Sequence, residues 1–114
     1  MNIISTDKAE HYIWAEKCDG WHLAKSPNLS VIEEQVPPGG TEVKHYHTKS
    51  EQFFYMLSGI AIIEADGQIH ELNTNQGLHI PAGIQHQLRN NSDENIRFLV
   101  ISTPPSHGDR VIVS

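Results

Sequence analysis

From about residue 28, short runs of β-branched and aromatic residues alternate with Gly, Pro, Asn and Asp, the spacing of an all-β barrel or sandwich. About eight strands are predicted. The first covers residues 29–36 and stops at Pro37-Pro38-Gly39-Gly40, where the prolines withhold backbone donors and the glycines permit reversal. Residues 41–47 form the second. Residues 52–57 are apolar on both faces, as in a strand covered on each side. Residues 60–65 and 68–72 pair as a hairpin across Asp66-Gly67, since both positions tolerate positive φ. Residues 78–80, 85–89 and 97–102 complete the set, and Pro104-Pro105 blocks its continuation. With no internal repeat, these strands close on themselves or stack as one jelly roll around one cavity.

The pattern changes before residue 28. Asp7 and Glu10, three positions apart, predict a capped helical turn, and Trp14 and Trp21 are large apolar groups that need cover. Residues 1–27 are therefore expected to wrap the barrel or a neighbouring subunit.

Composition narrows this picture without redirecting it. A chain of 114 residues fits one domain, with an opening segment over 1–27, a barrel over 28–102 and a tail over 103–114. The formal net charge of -6, with eight Lys and Arg scattered singly, offers no basic stripe for phosphates, so nucleic acid is not an expected partner. No apolar stretch approaches the roughly 20 residues that span a bilayer, so no membrane partner is expected either. Cys18 has no internal disulfide partner and the N-terminus reads as no signal peptide, which makes a cytoplasmic location the expectation. Exposed sheet edges and the aromatic opening segment lead to a homodimer as the expected assembly.

Histidine is the compositional outlier, with eight copies. In a strand, His45 and His47 point to the same face, roughly 7 Å apart along the backbone, with Tyr46 opposite. Two imidazoles so placed can reach one transition metal at about 2.1 Å. Alone the pair is weak evidence, because a surface strand carries His-x-His harmlessly. The surroundings add to it. Gly39 precedes His45-Tyr46-His47, Glu51-Gln52 and Gly59 follow, and Pro81, Gly83, His86 and Asn90 come later with the spacing Pro-x-Gly-x-x-His-x-x-x-Asn.

This arrangement resembles the two signature motifs of the cupin superfamily over about residues 28 to 102, in the manner of small single-domain, RmlC-like cupins. The second motif matches completely and the first nearly so. The resemblance implies an all-β cupin jelly-roll barrel (double-stranded β-helix), here with an N-terminal extension. It also implies a divalent metal ion, whether iron, nickel, manganese, zinc or copper, held by His45, His47 and His86. The family's acidic ligand falls by spacing on Gln52. Face alternation agrees, since Gln52 pointing inward turns Glu51 outward with Phe53 and Tyr55. Glu51 is the alternative. A second departure is Gly77, three residues before Pro81 where the family leaves about five, read as a shifted turn.

A neutral amide in place of a carboxylate leaves the ion's positive charge uncancelled and favours an anionic oxygen in its open positions. Phe54 and Met56, on the face of Gln52, are expected to line the pocket or pack the core, His79 is a weaker candidate for its mouth, and Arg110 in the tail could close over it. The resulting expectation is a metalloenzyme of dioxygenase or isomerase type acting on a small, anionic organic ligand. A non-catalytic module binding a sugar or carboxylate, or a purely structural metal, are the alternatives. No catalytic residue is assigned.

Overall fold

The computed structural model describes residues 1–113, and among these eleven strands and no helix are found. The strands are β1 (Glu10–Trp14), β2 (Cys18–Lys25), β3 (Ser30–Val36), β4 (His45–His47), β5 (Glu51–Ser58), β6 (Ala61–Ala65), β7 (Gln68–Leu72), β8 (Gly77–Ile80), β9 (His86–Arg89), β10 (Ile96–Thr103) and β11 (Arg110–Ile112). They form a six-stranded sheet in the order β1-β2-β3-β10-β5-β8 facing a five-stranded one in the order β11-β4-β9-β6-β7, with every pairing antiparallel. Two facing antiparallel sheets of this kind are the jelly roll that the strand pattern predicts. No helix of the described residues is long and apolar enough to cross a membrane.

The opening segment departs from expectation. Lys8 and Ala9 both donate to the Ser5 carbonyl, closing one turn, but no helix follows. Instead Tyr12-Ile13-Trp14 enter β1, which pairs with β2 and lengthens the larger sheet at its edge. β-branched and aromatic side chains suit a pleated surface better than a helical turn, and here that preference prevails over the cap signal. Trp14 packs against the core, and Trp21 lies on the outer face beneath the Arg97 guanidinium, 4.7 Å from the ring centroid. Arg97 is held in turn by Glu33 at 2.6 Å.

Alternation along β3, β5 and β10 decides where the barrel is filled and where it is open. Register places Gln52 beside Ser102, Phe54 beside Val100 and Met56 beside Phe98, all facing inward. Met56, Phe98, Ile96, Val36, Ile63 and Leu88 pack one end without exposure beyond 1%. Toward the other end the same columns turn polar, through Gln52, Ser102 and Ser30. Buried polar groups need partners there, and Gln52 donates to the Ser102 hydroxyl at 3.0 Å. The apolar end supplies the core, and the polar end leaves a cavity of about 480 Å³.

Candidate metal centre

His45 and His47 occupy the inward positions of the three-residue strand β4, and Tyr46 between them is half-buried. His86 opens β9 and is the cross-strand partner of His45. Ring centroids stand 4.9 Å apart for His45 and His47, 4.5 Å for His45 and His86, and 5.7 Å for His47 and His86. One ring nitrogen from each lies within 4.8 Å of the others. All three side chains are buried.

The tautomers follow from the hydrogen bonds. Nδ1 of His45 faces the Val43 carbonyl at 2.7 Å, Nδ1 of His47 the Asp109 carbonyl at 2.8 Å, and Nδ1 of His86 the Ile84 carbonyl at 2.9 Å. A carbonyl only accepts, so each Nδ1 carries the proton and each Nε2 keeps its lone pair. Burial pushes His45 down to about 4, against the opposing pull of its Val43 bond, and burial likewise lowers His86. Neutral imidazoles with free Nε2 lone pairs are the form that ligates a metal.

Gln52 lines the same cavity as His45 and His47. Its Nε2 is used by Ser102, which leaves Oε1 over. That oxygen, with Nε2 of His47 and Nε2 of His86, is buried without any hydrogen-bond partner. Unsatisfied buried acceptors cost about 1–3 kcal/mol each, so several at one place suit an electrophile that all of them can face. Neutral nitrogen and carbonyl oxygen donors together fit a divalent transition metal. Glu51 projects from the opposite face of β5, is exposed, and accepts from His79 at 3.1 Å.

The pocket expectations divide. Phe54 lines the cavity and meets His86 edge-on at a centroid distance of 6.1 Å. Met56 lies deeper, fully buried in the core. His79 does not line the mouth: it sits on the outer face with Glu51, because alternation on β8 turns its neighbour Ile80 inward instead. Arg110 does reach the cavity rim, since β11 pairs with β4 and sets Arg110 opposite His47.

The remaining motif residues hold the scaffold. Gly83 donates its amide to the His47 carbonyl at 2.7 Å with φ of 85°, joining the two motifs. Asn90 is fully buried, donates to the Val36 and Glu94 carbonyls and receives Ser92. Among the lining residues that the sequence reading does not name are two carboxyls, Glu34 and Glu42. For Glu34 the signal was available, because Ile32-Glu33-Glu34-Gln35-Val36 puts a carboxyl on the apolar face of a strand.

A family model described as Cupin domain matches residues 32–102. Over 67 residues the chain is 37% identical to the polyketide synthase CurC of Streptomyces cyaneus, covering 59% of this chain and 44% of that protein. It is also 37% identical over 59 residues to quercetin 2,3-dioxygenase of Bacillus subtilis, covering 52% of this chain and 18% of that one. The chain thus spans less than half the length of these two curated relatives. The solved structure of the polyketide cyclase RemF from Streptomyces resistomycificus superposes with a TM-score of 0.82 at 21% identity, covering 100% of this chain and 87% of that one.

Proposed function

The chain belongs to the cupin family, and from that premise we propose that it is a metal-dependent enzyme acting on a small, oxygen-rich organic molecule. The reaction classes it fits are dioxygenase-like and isomerase-like chemistry. His45, His47 and His86 are the residues that would hold the divalent ion, with the Gln52 carbonyl oxygen as fourth donor. The observation that carries this reading is the set of buried acceptors without partners, His47 Nε2 and Gln52 Oε1 on one cavity and His86 Nε2 in the histidine group that adjoins it. When bound, such an ion supplies Lewis-acid polarisation of a substrate oxygen. Because Gln52 is neutral, an anionic oxygen is the preferred occupant of that end. Relatives named for quercetin dioxygenation and polyketide cyclisation support a cyclic, hydroxylated substrate.

Metal content tests this directly. Protein purified without added metal is expected to carry about one divalent ion per chain, as a site with neutral imidazole donors does. Alanine at His45 or His86 should abolish it, alanine at Gln52 should weaken retention during dialysis, and alanine at Glu51 should change nothing. Full metal content in the His86 variant would overturn the site.

A further inference from the structure

With these donors committed to a metal, the proton chemistry of the cavity falls to other groups. Each histidine gives its Nδ1 proton to a backbone carbonyl and turns Nε2 toward the common centre. Gln52 is an amide and neither takes nor gives a proton near neutral pH. The carboxyls that line the cavity among the described residues are Glu34 and Glu42. Glu34 sits where packing alone calls for something else. It follows Ile32 and precedes Val36 on the inner face of β3, and its cross-strand partner is the fully buried Phe98. An apolar side chain would pack there without desolvating a carboxyl. Its partner is the Tyr12 hydroxyl, which donates at 3.3 Å. Glu42 accepts from the Leu88 amide at 2.9 Å.

We propose that Glu42 is the proton acceptor of this cavity and that Glu34, steadied by Tyr12, donates a hydrogen bond, the pair being suited to an uncharged substrate with an acidic hydroxyl beside a carbonyl. The substrate O–H bond breaks, its electron pair stays on the oxygen, and the proton forms a new O–H bond on the Glu42 carboxylate. The resulting oxyanion faces the histidine end, and Glu34 donates to the neighbouring carbonyl. Net charge inside the cavity is unchanged. The anion favoured by the metal is thus made inside the cavity.

The protonation states suit these roles. Desolvation, then repulsion from Glu42, pushes Glu34 up to about 8. Desolvation pushes Glu42 up to about 7, while the Leu88 amide and Arg110 pull it back. Tyr12 from β1, Cys18 from β2 and Arg110 from β11 are the other titratable or charged groups acting on the pair, and His107 stands on the rim. Slightly above neutrality, Glu34 keeps its proton while Glu42 is mostly ionised.

The proposal rests on the metal reading, and its test separates the two. Maltol, an uncharged hydroxy-ketone, is titrated into zinc-loaded protein at pH 7.5 in buffers of differing ionisation enthalpy, which reports protons released on binding. Wild type and Glu51→Gln should release well under one, because the bound oxyanion beside Glu42 raises that carboxyl and keeps the proton on it. Glu42→Gln, nearly isosteric and checked by its zinc content, should release about one proton per maltol bound. Independently of any variant, infrared difference spectra of the wild type should gain a carboxylic-acid C=O band when maltol binds. Equal release from wild type and Glu42→Gln, no new band, or no maltol uptake by zinc-loaded protein would overturn the carboxyl roles and leave the metal site standing. A wild type that takes up no zinc overturns both.

Discussion

Each histidine of the centre is oriented by a backbone carbonyl, and the one that orients His47 comes from the tail. Asp109 serves twice: its carbonyl receives the His47 Nδ1 proton, and its carboxylate receives the amides of Thr48, Lys49 and Ser50 at 3.0, 2.9 and 2.8 Å, with the Thr48 hydroxyl as a further donor. Those donors, the Thr48 hydroxyl foremost, hold the Asp109 carboxyl well below the usual carboxylate range. Its folded value lies below its unfolded one, so this stabilisation is complete above about pH 4 and is lost only as pH falls toward the folded value. At neutral pH the tail is therefore fastened. Asp109→Ala should unfasten it and lower zinc affinity about tenfold, the range seen when a group orienting a ligand is removed. Competition with a chelating dye measures this. The three histidines were legible because ligand spacing is a local property of the sequence. The Asp109 contact was not, since it joins residues 62 apart and uses a main-chain oxygen that carries no side-chain signature.

Among the elements, legibility follows how strongly local chemistry constrains the backbone. The Asp66-Gly67 hairpin formed as read, with φ of 53° and 77° at its two central residues, the signs a tight two-residue turn needs. Strands β3 and β10 were also legible, because one face of each is buried, whereas β5 formed where expected but with exposed Phe53 and Leu57, not covered on both faces as its apolar run predicts. β1 and β11 were not legible. Both lie at sheet edges with most positions exposed, so neither carries a clear period of two. Glycine positions give a sharper test of the elements. Gly59 has φ of 85°, and an added Cβ would stand 2.6 Å from Ile96 Cγ2 in the fully buried core. Gly67 has φ of 77° with open space around it. Gly59→Ala should therefore cost about 2–3 kcal/mol, and Gly67→Ala about 1 kcal/mol, since only the first adds a clash to the backbone strain. Urea unfolding of the two variants checks the order, and equal losses would contradict it.

At the scale of the whole molecule, one barrel divides its interior between a filled apolar end and an open polar end, and the division affects stability as well as chemistry. The carboxyl of Glu34 is held in the wall of the open end, where desolvation keeps it protonated up to about pH 8. The unfolded chain releases that proton near the ordinary carboxyl value of about 4.3. Between those values Glu34 holds its proton in the native state and not in the unfolded one, so its contribution to the stability of metal-free protein is greatest below this window and declines as pH rises through it. One such group sets a slope of at most about 1.4 kcal/mol per pH unit. Glu34→Gln retains an acceptor for Tyr12 but has nothing to ionise, so it removes Glu34's share of the decline. Thermal unfolding of metal-free wild type and Glu34→Gln should give similar midpoints near pH 5 and a growing advantage for the variant toward pH 8. A difference that stays constant with pH would show that the Glu34 carboxyl is ionised throughout, and with that the cavity would lose the hydrogen-bond donor assigned to it.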